Sequence, residues 1–572
     1  PALGELRGTK GPRQRRREIN GEIGGELPLS ELLRLLSGMP ELLPSPPAAR
    51  SAMLREPLLS PAALPTTRRR QLALGLLALC AAAALLLRLQ SPGASHADEP
   101  QIPADGDVSL RTAARNRFLY GTSLGGWLVI EINPSRRSST SSPDVRPAWM
   151  FDELEAASEL AFVTELRATH SDAFAIRTMR NHWEYYISDE MLDAARSIGV
   201  NAVRIPVGYW IVDAPRGGTS PLEYGISPEG FVTGGLNHLH AMLGRLRARG
   251  MVALIDVHAL PCNSGCVSDG IDCANPLAFD PDATVGAIER CTGECATEGG
   301  RRRCDGRTYA TTRPRDGRSW GDVGLASVEA LAAWLGALPE AEASAVAGLQ
   351  LANEPALNTD GYDAAVKASS RAAVERARAP LPQLPLYMSF IPPNDGAVPA
   401  FVGEVKAAGG GAIVIDHHWY LNWAAPAGTQ LGWREMHRRA CHEAAASWAP
   451  YAAAGVPLVL GEWSLATNHD EPLDLRDAAT RAELRRLYRE QLAVFTTSPS
   501  VGGAFYWTLR MGSGWDPRPT DAAPDGRQRD GTSAWRSRPG YPYTVWSLLE
   551  MAHEDIIEAM DAESVFGACD GV

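Results

Sequence analysis

Short apolar runs alternate with longer amphipathic stretches along the chain from residue 118 onward. A short apolar run between turn residues predicts a buried strand, whereas apolar positions three and four residues apart predict a helix. The predicted strands lie at 119–124, 202–207, 252–258, 346–353, 386–390, 412–418, 458–462 and 503–508. The predicted helices lie at 189–198, 236–249, 325–337, 362–377, 398–408, 433–454, 478–495 and 543–560.

This repeated order of strand and helix predicts an α/β fold, and its eight repeats predict a (β/α)8 TIM barrel. Helical stretches end directly before a glycine, a common C-terminal signal, at Gly199, Gly250, Gly409 and Gly455. A doubly wound open sheet is the alternative, but no glycine-rich phosphate turn follows the first predicted strand. A barrel would place its chemistry at the carboxyl ends of the strands.

Two glutamates stand at such ends. Glu354 follows the apolar run VAGLQLAN, and Glu462 ends PLVLGE. A buried carboxylate is costly unless it is partnered, and two carboxylates that face each other across a sugar ring are the machinery of a glycosidase. Glu354 suits the proton-transfer role if its surroundings raise its pKa, and Glu462 suits the nucleophile if Arg204 and Tyr420 keep it ionised.

Other polar and aromatic residues fall at the same predicted rim: Arg204, His258, Asn353, His418, Tyr420 and Trp507. Asn353 is placed to hydrogen-bond the sugar 2-hydroxyl, and Trp507 offers a flat apolar face for a pyranose ring. Trp515 lies in a predicted loop and either extends that platform or pins the loop. Together these residues predict a sugar-binding site.

The chain resembles glycoside hydrolase family 5, in particular its exo-β-1,3-glucanase branch. The motifs that carry the resemblance span roughly 118–560 and are LGGWLVIE at 124–131, GVNAVRIPVGYW at 199–210, IDVH at 255–258, NEP at 353–355, DHHWY at 416–420 and GEWS at 461–464. The resemblance implies a retaining mechanism with Glu354 as acid/base and Glu462 as nucleophile, and it implies no metal or cofactor. It also places around the terminal glucose the residues Glu131, His258, His418, Tyr420 and Trp507.

The sequence departs from that family at the substrate rim. Ser123 stands where the family usually has Asn, and the segment 259–263 replaces a glycine-rich stretch. These changes leave the glutamates in place but keep other substrates open: β-1,6-glucan, β-1,4-glucan or a glucosyl lipid. Transglycosylation and a non-catalytic carbohydrate-binding protein are further alternatives.

A cysteine-rich insertion is predicted at 259–322. Six of the nine cysteines lie in it: Cys262, Cys266, Cys273, Cys291, Cys295 and Cys304. An even number of clustered cysteines indicates disulfides and an oxidising compartment. A zinc site is the alternative, but the C-x3-C spacings differ from the usual C-x2-C pairs. Cys441 and Cys569 stand apart, and nothing in their spacing shows whether they pair.

The N-terminal region differs in composition from the barrel. Residues 1–70 carry 12 Arg and Lys against 7 Asp and Glu, and they predict a disordered basic tail on the cytosolic side. An uncharged apolar stretch then predicts a transmembrane signal anchor at 71–89, with a stalk at 90–107 and the hydrolase domain at 108–572. A cleaved signal peptide or a buried helix is the alternative reading of that stretch.

The net charge and the predicted anchor together indicate the partners and the location of the protein. The net charge of −12 is concentrated after the basic tail, and an acidic main domain argues against a nucleic-acid partner. We therefore expect a β-glucan polysaccharide or oligosaccharide as partner and a single-pass type II membrane protein with a lumenal or extracellular catalytic domain. A secreted protein is the alternative.

Overall fold

A computed structural model of the 572-residue chain describes residues 118–130, 159–212, 223–227, 230–260, 295–298, 301–304, 320–355, 363–390, 397–421, 431–467, 473–511, 518, 544–563, 565 and 567–570. All of them lie in one compact unit, His96–Val572. The predicted tail, anchor and stalk lie outside the described residues. No helix within the described ranges combines the length and apolarity needed to cross a membrane.

The described residues form ten strands: β1 (Leu119–Ser123), β2 (Ala202–Gly208), β3 (Val252–Ala259), β4 (Cys295–Glu298), β5 (Arg301–Cys304), β6 (Val346–Gln350), β7 (Leu386–Ser389), β8 (Ile413–Trp419), β9 (Leu458–Trp463) and β10 (Val501–Tyr506). Eight of them pair in parallel and close into a barrel in the order β1-β10-β9-β8-β7-β6-β3-β2. The other two form an antiparallel hairpin in which Cys295 stands opposite Cys304. This hairpin lies inside the predicted cysteine-rich insertion.

The α-helices of the described residues are α1 (Glu159–Thr169), α2 (Asp172–Tyr185), α3 (Asp189–Ser197), α4 (Gly235–Arg247), α5 (Trp320–Gly336), α6 (Glu340–Ala343), α7 (Asp363–Arg378), α8 (Ala397–Val405), α9 (Trp433–Arg438), α10 (Ala444–Ala453), α11 (Ala478–Thr497) and α12 (Leu548–His553). Two π-helical turns, Lys406–Gly410 and Arg439–Glu443, extend α8 and join α9 to α10. Short 3-10 turns lie at Tyr209–Ile211 and Thr544–Trp546.

The predicted (β/α)8 barrel is confirmed, and every predicted barrel strand is present. The helices differ more. Helices α1 and α2 precede β2 and were not predicted. The last predicted helix, at 543–560, is limited to α12, because Ser547 caps its first turn by accepting a hydrogen bond from Glu550 N (3.2 Å). Asp555 ends it with a φ of +54°, which lies outside helical geometry.

The barrel interior is built in layers, because alternate residues of a strand point to the same face. The lowest layer is apolar and buried, and consists of Ala202, Leu254, Tyr387, Val414, Val459 and Phe505. Gly121 in β1 leaves room for the Phe505 ring, since a Cβ at Gly121 would lie 2.2 Å from it. Two residues further along β2, β3 and β8 stand Arg204, Asp256 and Asp416, which form a buried polar layer. The candidate site lies directly above this polar layer, at the carboxyl ends of the strands.

A disulfide joins Cys441, in the π-helical turn before α10, to Cys569 near the end of the chain. It closes a loop of 128 residues, so it strongly restricts the unfolded chain. Disulfides of this kind are typical of proteins in oxidising compartments. The predicted lumenal or extracellular location, like the disulfides predicted at 262–304, stays a prediction.

Candidate active site

The guanidinium group of Arg204 lies at the centre of the polar layer, with no exposed side-chain surface. Its nitrogen atoms contact carboxylate oxygens of three residues: Asp256 (3.0 Å), Asp416 (3.4 Å) and Glu462 (2.9 Å). It also donates hydrogen bonds to Gln350 Oε1 (3.1 Å) and Asn353 Oδ1 (2.7 Å). One side chain of β2 therefore ties together residues from β3, β6, β8, β9 and the loop after β6.

Above this layer the two predicted catalytic glutamates meet at His418. The Nδ1 atom of His418 lies 2.5 Å from Glu354 Oε1 and 3.5 Å from Glu462 Oε2. One oxygen of each carboxylate lies within 4.8 Å of the other and of the imidazole nitrogen. The Tyr420 hydroxyl donates a hydrogen bond to Glu462 Oε2 (2.8 Å). Both oxygen atoms of Glu462 are thus held, one by Arg204 and one by Tyr420.

Local backbone geometry brings the glutamates into reach of each other. The register between β8 and β9 shifts after His417, so that His418 stands opposite Glu462. Glu354 lies four residues beyond the end of β6 and takes a φ of +45°, a left-handed conformation that is uncommon for a residue with a side chain. Asn353 N, one residue earlier, donates a hydrogen bond to Val257 O in β3 (3.0 Å) and fixes the start of this turn.

Gly461 allows the two carboxylate-bearing strands to approach. A Cβ at this position would lie 1.7 Å from Asp416 Oδ1, closer than any real contact. The absence of a side chain therefore admits Asp416, which in turn lies 3.5 Å from His418 Nε2. Asp416 contacts Arg204 on one side and His418 on the other.

A second histidine, His258, contacts the same polar layer. The Asp256 carboxylate lies 2.6 Å from His258 Nδ1, and both side chains are buried. The imidazole ring stacks on the indole of Trp507, with centroids 5.5 Å apart and planes inclined by 9°. The Arg204 guanidinium carbon lies 5.8 Å from the centroid of the same indole. Trp507 is only 4% exposed, so most of its surface is covered.

Electrostatics in the polar layer favour ionised groups. Burial acts to lower the pKa of Arg204, but Asp256, Asp416 and Glu462 overcome this and raise it above its ordinary value. Burial acts to raise the pKa of Asp416, but His418, Arg204 and the Gly461 amide hold it below the usual range. Each buried charge is therefore offset by a charge of opposite sign in direct contact.

The four groups above the polar layer, His418, Glu462, Glu354 and Tyr420, influence one another's pKa. Burial opposes the charge of His418, but Glu462, Asp416 and Glu354 raise its pKa well above the ordinary value. Burial raises the pKa of Glu462, with His418 and Arg204 acting against it. The pKa of Glu354 lies below its usual value despite burial, because the charge and hydrogen bond of His418 favour its ionised form. The Tyr420 pKa is raised by burial and by Glu462, which keeps the phenol neutral.

The structure brings together eight of the ten predicted site residues: Arg204, His258, Asn353, Glu354, His418, Tyr420, Glu462 and Trp507. Glu131 and Trp515 lie outside the described residues. Arg204 was expected near the end of β2 but lies in its middle, since the strand continues to Gly208. The raised pKa expected for Glu354 is not found, because the neighbour in contact with it is a cation.

Three residues of the site were missed by sequence reasoning: Asp256, Gln350 and Asp416. Each is buried and lies against Arg204. The signal was present in the sequence, because a carboxylate two residues before a histidine within an apolar strand points to the same face as that histidine. The motifs IDVH and DHHWY both have this spacing.

No protein-family model matches the chain. It is similar to a curated protein named probable glucan 1,3-beta-glucosidase A from Aspergillus niger, with 30% identity over 31% of this chain and 36% of that protein. The protein of the same name from Emericella nidulans is 32% identical over 27% of this chain and 32% of its own length. The chain therefore matches about a third of the length of these curated relatives. They confirm the resemblance predicted from the motifs.

Solved structures resemble the chain as well. The crystal structure of rutinosidase from Aspergillus niger aligns with a TM-score of 0.49 at 15% identity and covers 79% of this chain and 99% of that one. A GH5-4 broad specificity endoglucanase from Clostridium acetobutylicum aligns with a TM-score of 0.38 at 12% identity, covering 71% of this chain and 92% of that one.

Replacing Arg204 by Met tests the central place of the guanidinium. The variant R204M leaves three buried carboxylates without their cation, and we expect it to lose about 3–5 kcal/mol in the free energy of unfolding, measured by urea denaturation. The matched control is R371M, which removes an exposed pair with Glu404 (3.2 Å). That loss should stay below about 1 kcal/mol. Equal losses in the two variants would contradict the assignment.

Proposed function

We propose that the protein is a retaining exo-β-1,3-glucanase, which releases terminal glucose from β-1,3-glucan through a covalent glycosyl-enzyme. The observation that carries the proposal is the pair Glu354 and Glu462, with carboxylate oxygens within 4.8 Å at the carboxyl end of a barrel. Retaining glycosidases hold their two carboxyl groups about 5–5.5 Å apart, whereas inverting enzymes need more room for a water molecule. Similarity to proteins named glucan 1,3-beta-glucosidase supports the choice of substrate.

In the first step Glu462 attacks the anomeric carbon while the bond to the leaving oxygen breaks. Arg204 and Tyr420 aim the carboxylate, and the charges of His418 and Arg204 favour its ionised form. As the ester forms, Glu462 loses the negative charge that helps to hold the proton on His418. The proton can then pass across the 2.5 Å contact to Glu354 and on to the leaving oxygen. The charge of one carboxylate thereby controls the acidity of the other.

In the second step Glu354, now ionised, takes a proton from water. The water oxygen attacks the anomeric carbon from the face that the leaving group vacated, and Glu462 is released as a carboxylate. Two inversions give a product with the configuration of the substrate. Asn353, fixed by Arg204 at 2.7 Å, is placed to bind the 2-hydroxyl during both steps.

Azide rescue distinguishes the two carboxylates. We expect E354A to lose about 10²- to 10⁴-fold in kcat, since general acid–base catalysis contributes that much. With an activated β-glucoside, azide should restore turnover and give the β-glucosyl azide, because a small anion replaces water on the glycosyl-enzyme. For E462A, azide should instead act as an external nucleophile and give the α-glucosyl azide. Products are identified by NMR of the anomeric proton.

Exchanged or identical anomers in the two variants would overturn the assignment of roles. Q491A is a matched control for global damage, because Gln491 is buried and donates a hydrogen bond to Ser464 O (3.3 Å) without a hydrogen bond to either glutamate. If it behaves like E462A, the losses reflect disturbed packing instead of chemistry.

Product analysis tests the exo mode. Digestion of long β-1,3-glucan should release glucose from the first minutes, with no early spread of oligosaccharides on chromatography. A panel of β-1,6-glucan, β-1,4-glucan and a glucosyl lipid run in parallel should show lower kcat/KM for each. Early oligosaccharides would contradict the exo mode. Faster cleavage of another glycoside in the panel would contradict β-1,3-glucan as the preferred substrate.

Removing the charge of His418 should narrow the pH profile of kcat/KM. The acidic limb follows ionisation of Glu462, whose pKa His418 lowers, so H418Q should move this limb to higher pH. The basic limb follows loss of the catalytic proton, which His418 binds with a raised pKa. In the variant only Glu354 holds that proton, so the basic limb should move to lower pH.

The neighbouring histidine provides the control for this profile. His417 is buried, and burial followed by the charge of His418 lowers its pKa to about 3, so it is neutral over the working range. H417Q should leave both limbs in place. If both limbs stay in place in H418Q, or if they move equally far in H417Q, the proposal that His418 and Glu354 share the catalytic proton is contradicted.

A further inference from the structure

Three potential metal ligands converge in the candidate site. Each of Glu354, His418 and Glu462 offers one atom, and the three atoms lie within 4.8 Å of one another. The two carboxylate oxygens approach the same imidazole nitrogen, Nδ1, at 2.5 and 3.5 Å. Because the three atoms approach one spot from β8, β9 and the loop after β6, a single ion can contact all three.

The separations suit a small tetrahedral ion. Zinc binds imidazole nitrogen and carboxylate oxygen at about 2.0–2.2 Å, which places neighbouring ligand atoms of a tetrahedron about 3.3–3.6 Å apart. The pair His418 Nδ1 and Glu462 Oε2 already has this spacing, at 3.5 Å. The 2.5 Å contact of His418 with Glu354 would have to open, and Glu354 is the most exposed of the three side chains, at 19%. A metal would take the place of the proton between them.

A second observation points to a metal. Metal-binding histidines almost always present their other ring nitrogen to a carboxylate or a carbonyl group, which orients the ring and strengthens its basicity. The other nitrogen of His418, Nε2, faces Asp416 Oδ2 at 3.5 Å. Asp416 itself is buried. It is therefore the carboxylate that is placed to orient the His418 ring.

The charge balance also favours a divalent cation. Four carboxylates lie around the site, namely Glu354, Glu462, Asp256 and Asp416, and Arg204 is their one guanidinium partner within the described ranges. A divalent ion in place of one proton brings the cluster closer to neutrality. Hard ions such as Mg²⁺ demand six oxygen ligands and do not favour imidazole.

We infer that the cleft is also a zinc-binding site, in which Glu354, His418 and Glu462 hold Zn²⁺ and Asp416 orients the histidine. Bound zinc occupies the acid/base and the nucleophile at once, so it excludes the glycoside and inhibits reversibly. The inhibition rests on the proposed function, but the binding does not. Zinc here is a regulator from solution and takes no part in the reaction.

The chain offers a matched control in its own second histidine–carboxylate cluster. His437 lies 2.5 Å from Glu490 and 2.9 Å from Glu483, but the two carboxylates contact different ring nitrogens, Nδ1 and Nε2. They lie on opposite sides of the ring and cannot share one ion with it. Both clusters contain one histidine and two glutamates, but the two carboxylates meet at one ring nitrogen only in the candidate site.

Binding is measured on the full chain without substrate, with Co²⁺ as a spectroscopic probe and Zn²⁺ by calorimetry. We expect one Co²⁺ per chain, with the visible absorption of a tetrahedral nitrogen and oxygen site. D416N should weaken binding about 10- to 100-fold, as losses of outer partners do. H418Q should abolish it, and H437Q should leave it unchanged. Circular dichroism verifies the fold of each variant.

Three results would overturn the inference: unchanged Co²⁺ binding in H418Q, equal loss in H437Q, or intense thiolate-to-cobalt absorption, which would place the ion at cysteines. A kinetic arm needs no variant. Zn²⁺ should raise KM without changing kcat, EDTA should reverse this, and Mg²⁺ should have no effect; inhibition of kcat alone would contradict a shared site. If no glucan is hydrolysed, the proposed function fails while the binding arm still decides the zinc site.

Discussion

The contact between one buried guanidinium and three carboxylates is the constraint on which the site depends. Arg204 has no exposed side-chain surface, and it holds Asp256, Asp416 and Glu462 from three different strands. Burying these groups costs several kcal/mol for each ion, which only mutual contact offsets. The barrel therefore accepts a charged layer in its interior because the charges are arranged around one cation. Below the charged layer, a buried apolar layer packs the barrel interior.

Contacts with the charged layer fix the positions of Glu462, Asn353 and His418 and influence the charges of Glu462 and His418. Arg204 fixes Glu462 and Asn353 directly, and Asp416 links it to His418. His418 in turn favours the ionised form of Glu354. In the proposed mechanism the acid/base therefore holds its proton jointly with the histidine, and proton transfer is coupled to nucleophilic attack through electrostatics, as in other sites where neighbouring groups set each other's pKa. The inferred zinc site depends on the same convergence of a histidine with two carboxylates.

Sequence patterns predicted most of this arrangement, including Arg204, but missed the two aspartates that contact its guanidinium group. The strands were predictable because parallel barrel strands are buried on both faces and appear as apolar runs. Glu354 and Glu462 stood out because charge at the end of such a run is unusual. The spacing before His258 and His418 marked the face of Asp256 and Asp416, but their contacts with Arg204 join strands distant in sequence, and no local pattern shows such contacts. The ionised Glu354 likewise depends on His418, a neighbour distant in sequence.

The most direct test of the account is to trap the covalent intermediate. A 2-deoxy-2-fluoro-β-glucosyl fluoride slows both steps but carries a good leaving group, so the glycosyl-enzyme should accumulate. Mass spectrometry of the intact chain should show one added fluoroglucosyl unit, and peptide mapping should place it on Glu462. No adduct, or an adduct on Glu354 or another residue, would contradict the claim that Arg204 and Tyr420 hold Glu462 as the nucleophile.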